Sequence, residues 1–250
     1  MIKIYRTKFA KFIRNIFNFR PSIDTIDSNK VEISISDAFI WRTDNQICTI
    51  FKFKDILKTF FDDNAAQVEL IFFDKNNNLL KKKIIDNISK INNLLIDKNF
   101  MDGIEDYGIF YIFHNTDSKN KSIIRNSCYT GYKFRDSIPS YVHGNTITAA
   151  KDMRKNNFSY GIGGLTFFKR NIYQLQNSFL NKKIELMLIN PTKFKIKVFV
   201  NEYEFYLKSC CLKKIKISDI NIIKIVSKCY LLRPIIFQFV DNKFLDVYHG

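Results

Sequence analysis

Three histidines, the whole complement of the chain, each close an apolar run just before a residue that turns the backbone: Phe113-His114-Asn115, Val142-His143-Gly144 and Tyr248-His249-Gly250. Three neutral imidazoles with a water make a catalytic zinc set, and imidazole suits iron as well. His114, His143 and His249 are therefore the candidate ligands of a zinc or iron centre. Asp37, Asp106, Asp136, Asp241 or Asp246 would supply a carboxylate ligand or orient a ring through its second nitrogen. No HExxH or other short-range ligand spacing accompanies them. The plainer reading is that each strand-end histidine bonds main chain and caps a turn.

A second cluster, Ser36-Asp37-Ala38-Phe39-Ile40-Trp41-Arg42, holds the single tryptophan. An exposed indole flanked by charge would stack on the C–H face of a sugar while Arg42 bonds its hydroxyls. The competing reading places Trp41 in the core beside a surface Asp–Arg pair. Arg233, just before Pro234 and an apolar run, would bind a carboxylate or phosphate, or pair with a structural Asp. The candidate ligand-binding set is Trp41, Arg42, Tyr132, His143, Asn145, Arg233 and His249. Gly161-Ile162-Gly163-Gly164 lacks the dinucleotide register and a Walker Lys-Ser/Thr, and reads as a flexible loop. No nucleophile elbow or EF-hand loop occurs, so no reaction is named by motif.

Strands must position these residues. Val31 to Ser36 alternates strictly, and period-two runs follow at Ile47 to Lys54, Gln67 to Phe73, Leu79 to Ile85, Gly108 to Phe113, Ile184 to Asn190, Phe194 to Val200, Tyr203 to Leu207, Leu212 to Ser218 and Ile235 to Val240. Asn76-Asn77-Asn78 and Asn201-Glu202 sit where hairpin turns are needed. Short helices are expected around Asp55 to Phe61, Ile88 to Leu95 or Thr146 to Arg154.

An internal echo organises the chain. Cys128-Tyr129, Phe134-Arg135-Asp136 and Val142-His143-Gly144 recur in order as Cys229-Tyr230, Phe239-Val240-Asp241 and Tyr248-His249-Gly250. The expected fold is therefore all-β, with two related β-sandwich-like units at 31–144 and 172–250, a polar linker at 145–171, and His143 and His249 made equivalent by a pseudo-twofold axis. Residues 1–21 stand apart. Lys3, Arg6, Lys8, Lys11, Arg14 and Arg20 occur without an acid, opposite Ile2, Tyr5, Phe9, Phe12, Ile13, Ile16 and Phe19 at helical spacing, and Pro21 ends the pattern. Such a basic amphipathic helix would lie on an anionic membrane surface or dock on the body.

Forty Lys and Arg against 24 Asp and Glu give a net charge of +16. The matching excess of Asn, Ile and Phe, all encoded by A/T-rich codons, ascribes much of that charge to composition. Without a Cys/His finger, KH loop or RNP run, nucleic acid is not the expected partner. Five cysteines without CxxC spacing suggest reduced thiols in a cytoplasmic chain, peripheral at most at the inner membrane face. These features imply a non-catalytic binding or accessory protein, carbohydrate being the favoured ligand. A three-histidine metalloenzyme and an interaction scaffold are the alternatives.

Overall fold

The computed structural model describes residues 33–63, 67–86, 88–89, 91–116, 123–126, 128–152, 157–166, 170–176, 183–218, 221–230, 232–241 and 243–249, together with Phe9, Phe12 and Ile13. The amphipathic helix expected at 1–21 lies, apart from those three residues, outside the described residues. No helix among the latter is long and apolar enough to cross a membrane.

In chain order the elements are β1 (Ile33–Asp37), β2 (Phe39–Arg42), β3 (Ile47–Phe53), helix α1 (Ile56–Phe61), β4 (Gln67–Asp74), β5 (Leu79–Ile85), β6 (Asn92–Ile96) and β7 (Tyr107–Asn115). There follow β8 (Ile123–Arg125), β9 (Tyr129–Phe134), β10 (Ser140–His143), β11 (Ile147–Asp152), β12 (Asn157–Tyr160) and β13 (Asn171–Gln176). The last are β14 (Lys183–Ile189), β15 (Ile196–Val200), β16 (Tyr203–Leu207), β17 (Leu212–Ile217), β18 (Ile222–Ser227), β19 (Ile235–Val240) and β20 (Phe244–His249). They form five four-stranded sheets, in the orders β12-β11-β1-β8, β2-β7-β4-β5, β10-β9-β3-β6, β17-β14-β19-β20 and β13-β18-β15-β16.

The all-β expectation holds, and the sheets are disposed as in a β-propeller; two sandwich-like units are not established by this arrangement. The main core crosses the expected boundary, since Ile71, Tyr111 and Tyr132 share one apolar cluster with Met187, Phe237 and Val247. Alternation within a strand tells which side chains share a face, but not which sheet that face will meet. The stretch read as a linker carries β11 and β12, and β11 pairs with β1 from Asp152 opposite Ile33 to Ile147 opposite Asp37. Helices expected over 88–95 and 146–154 are replaced in part by β6 and β11, each zipped to a remote strand. Pairing with those partners overrides the local helix preference of Leu94-Leu95 and Ala149-Ala150.

Local chemistry explains the rest. Asp55 caps α1 by accepting from the Lys58 amide, 3.0 Å away. Asn77 and Asn201 turn their hairpins with φ of 67° and 52°, the left-handed region that Asn tolerates. Gly108 admits the Trp41 indole, for a Cβ there would stand 2.7 Å from its Nε1. The indole NH donates to the Phe73 carbonyl at 2.8 Å.

Candidate binding groove where two hairpins meet

The hairpins β9–β10 and β19–β20 carry the echoed sequence, and each ends its second strand on a histidine: His143 stands opposite Tyr129, His249 opposite Ile235. β10 and β20 are the outer strands of their sheets, so each arrives with unpaired main-chain groups. They meet side by side, and side chains rather than a ladder satisfy those groups. The Ser140 hydroxyl accepts from the Val247 amide at 3.0 Å, while its proton lies between Asp246 Oδ1 at 3.0 Å and the Val247 carbonyl at 3.2 Å. Three residues on, His249 Nε2 donates to the His143 carbonyl at 2.9 Å. Behind this line Tyr132 and Phe237 meet edge to face at 4.7 Å, as do Phe134 and Phe239 at 5.7 Å.

The two histidine rings lie 4.4 Å apart between centroids, inclined by 41°. Their contacts are not exchanged. His143 Nδ1 donates to the Gly144 carbonyl at 3.0 Å, whereas His249 reaches across to His143. A twofold axis would make each residue repeat the other's contact; the hairpins instead run head to tail, with β10 and β20 in the same direction. Burial, and after it the charge of Arg233, pulls the His249 imidazole down to about 4. It is neutral at pH 7, with its proton on Nε2 and a lone pair on Nδ1. Next to the pair, Asn145 and Arg233 clasp reciprocally: Asn145 Nδ2 donates to the Arg233 carbonyl at 2.9 Å, and the guanidinium returns a bond to the Asn145 carbonyl at 3.3 Å.

At the loop end of the same hairpins an open groove of about 750 Å³ lies between residues 137–140 on one side and residues 238, 240 and 243–246 on the other. Ile138, 86% exposed, and Phe244, 47% exposed, give it apolar surface, and Ser137, Lys243 and Asp246 give it polar groups. Sequence reasoning missed Ile138 and Phe244, and treated Asp246 only as a carboxylate ligand of a metal or a partner for a metal-bound ring. Their one signal is position at the turns of the echoed hairpins, Ile138 in the β9–β10 loop and Phe244 as the first residue of β20.

The other expected site residues lie elsewhere. Trp41, Arg42 and Tyr132 are fully buried, where no sugar reaches them. The core reading of Trp41 is the one observed, but the arginine beside it is buried too. Arg42 grips Asp44 with two bonds at 2.8 and 2.9 Å, meets Glu185 at 2.8 Å, and lies 4.6 Å over the Phe237 ring. Lys214 completes the cluster at 2.8 Å from Asp44. Burial by itself would raise the Asp44 carboxyl, yet Arg42 and then Lys214 hold it below its usual value. Asp37, expected beside Trp41, is paired with Arg125 at 2.7 Å.

His114 is separated from the other two histidines. It is fully buried, and the Asn126 amide donates to its Nε2 at 2.8 Å, which leaves the ring proton on Nδ1. Burial lowers its imidazole to about 4. Among the described residues no group of three or more His, Cys, Asp or Glu is placed to hold a metal ion, so the zinc or iron set gains no geometric support. All five cysteines are free thiols. No protein-family model matches the chain, and no curated protein matches its sequence.

Proposed function

We propose that the chain is a non-catalytic binding or accessory protein, and that a carbohydrate occupies the groove between the β9–β10 and β19–β20 hairpins. The observation that supports this reading is the partly exposed Phe244 ring beside Asp246 in an open cavity of about 750 Å³. A pyranose presents a C–H face to an aromatic ring and hydroxyls to a carboxylate, and this groove offers both. The Ser140 hydroxyl and the His143–His249 pair serve the junction that holds the two walls together. They are positioning groups.

The test is an oligosaccharide array probed with the full chain, followed by calorimetric titration of the tightest binder. Phe244→Ala should weaken that binder at least tenfold while Trp41 emission stays unchanged. No binder on the array, or a binder indifferent to Phe244→Ala, defeats the reading.

A further inference from the structure

The sheet β13-β18-β15-β16 buries one face and opens the other. Ile196, Val198 and Val200 of β15, Phe205 and Leu207 of β16, and Ile223 and Ile225 of β18 point into an apolar cluster shared with the neighbouring sheet. Alternation then turns Lys197, Phe199, Glu204, Tyr206, Lys224 and Val226 outward. Where β15 begins and β16 and β18 finish, the exposed cations Arg170, Lys195, Lys197, Lys208 and Lys228 gather. Of the described residues turned outward on these strands the one acid is Glu204, already paired with Lys197 at 2.6 Å.

The cations are organised around rings. The Arg170 guanidinium lies 5.3 Å over Phe199 and the Lys197 ammonium 5.0 Å over the same ring. Lys195 lies 4.4 Å over Tyr206, and Lys193 lies 5.4 Å over Phe194 in the adjoining loop. An A/T-rich codon bias accounts for how many lysines the chain has; it does not account for their alternation with aromatic rings at one end of one open sheet.

We propose that this face binds single-stranded nucleic acid, independently of the groove. Every base has a π-face that stacks on an aromatic ring without regard to sequence; the Lys and Arg groups that lie over Phe199 and Tyr206 swing off the rings to meet the linking phosphates as bases take their place. Phe199 stands opposite Glu204, and Tyr206 opposite Lys197. The two residues are therefore diagonal neighbours on adjacent strands, their backbone positions roughly 7–8 Å apart, within reach of successive nucleotides of an extended strand. A duplex would hide its base faces and require an element that enters a groove, and this face is a flat sheet. Ile172, 61% exposed beside Arg170, is the apolar side chain an anionic membrane would use, whereas Phe199 is half-buried, so the two occupants call on different residues of this face.

The experiment is fluorescence anisotropy of a labelled 12-nucleotide oligothymidylate titrated with the full chain from 50 to 300 mM KCl. Binding should weaken with a log–log salt slope of about −3 to −3.5, for four or five phosphates neutralised. Tyr206→Ala should weaken binding about tenfold or more at unchanged slope, since it removes a stacking platform and no charge. Arg170→Gln with Lys195→Gln should make the slope shallower by about 1.4. Lys83→Gln, on a different sheet, and Phe244→Ala, in the groove, should leave binding as it was. No binding at 50 mM KCl overturns the proposal. So does tighter binding to a 12-base-pair duplex, or equal binding to phosphatidylserine vesicles with Tyr206→Ala indistinguishable from the parent.

Discussion

His249 donates from Nε2 to the main-chain oxygen of His143, and His143 does not return the bond. One outer strand thereby receives from a side chain what a further strand would have supplied. Two sheet edges close on each other without merging. Ser140 does the same work in the opposite direction for the Val247 amide.

The Ser140 contact sets the first expectation. Ser140→Ala should leave the Val247 N–H without its acceptor and cost about 1–3 kcal/mol in urea denaturation, while Ser140→Thr, which keeps the hydroxyl, should recover most of it. An alanine variant as stable as the parent would show that water caps that amide equally well.

The buried charges set the second. Arg42→Met leaves Asp44 and Glu185 in the interior with Lys214 as their remaining cation, and should destabilise the chain by about 3–5 kcal/mol. Pairing it with Glu185→Met should cost less than the sum of the two single changes, because the double variant removes both an unmatched cation and an unmatched anion. Strict additivity would mean that Arg42 and Glu185 do not act on each other.

The third concerns pH. Burial holds His114 at about 4 in the folded chain, below the roughly 6.5 of an unfolded imidazole. The unfolded chain therefore takes up the proton first. Stability is complete above about pH 6.5 and falls as pH drops toward 4, by roughly 3 kcal/mol from this residue. His249, depressed to about 4 as well, acts in the same direction. In urea midpoints measured from pH 7.5 to 4.5, His114→Phe should flatten the decline; a slope equal to the parent's would remove His114 from the account.

What sequence reasoning could read was whatever a strand's own residues decide. The alternation of Ile33 to Ser36, the Asn76-Asn77-Asn78 turn and the Asn201-Glu202 turn all depend on neighbours a few positions away, and all three features appear where expected. The echo that ends on His143 and His249 also mapped onto two hairpins and brought both rings together. The relation between them was misjudged, because a repeat in sequence does not say whether its copies face each other or follow each other. β11 was misread for a similar reason: Ala149 and Ala150 suit a helix until β1, more than a hundred residues earlier, offers its edge. The pairing of Arg42 with Glu185 leaves no local trace, since neither side chain's neighbours in sequence identify the other.

That same separation governs how the protein is made. Glu185 leaves the ribosome about 140 residues after Arg42, roughly seven to thirty seconds later at ordinary rates of synthesis. Met187, Phe237 and Val247, which complete the main core, are later still. The nascent first half thus carries a guanidinium and an apolar face that its own length cannot cover, and it must be kept from other chains until its last strands arrive.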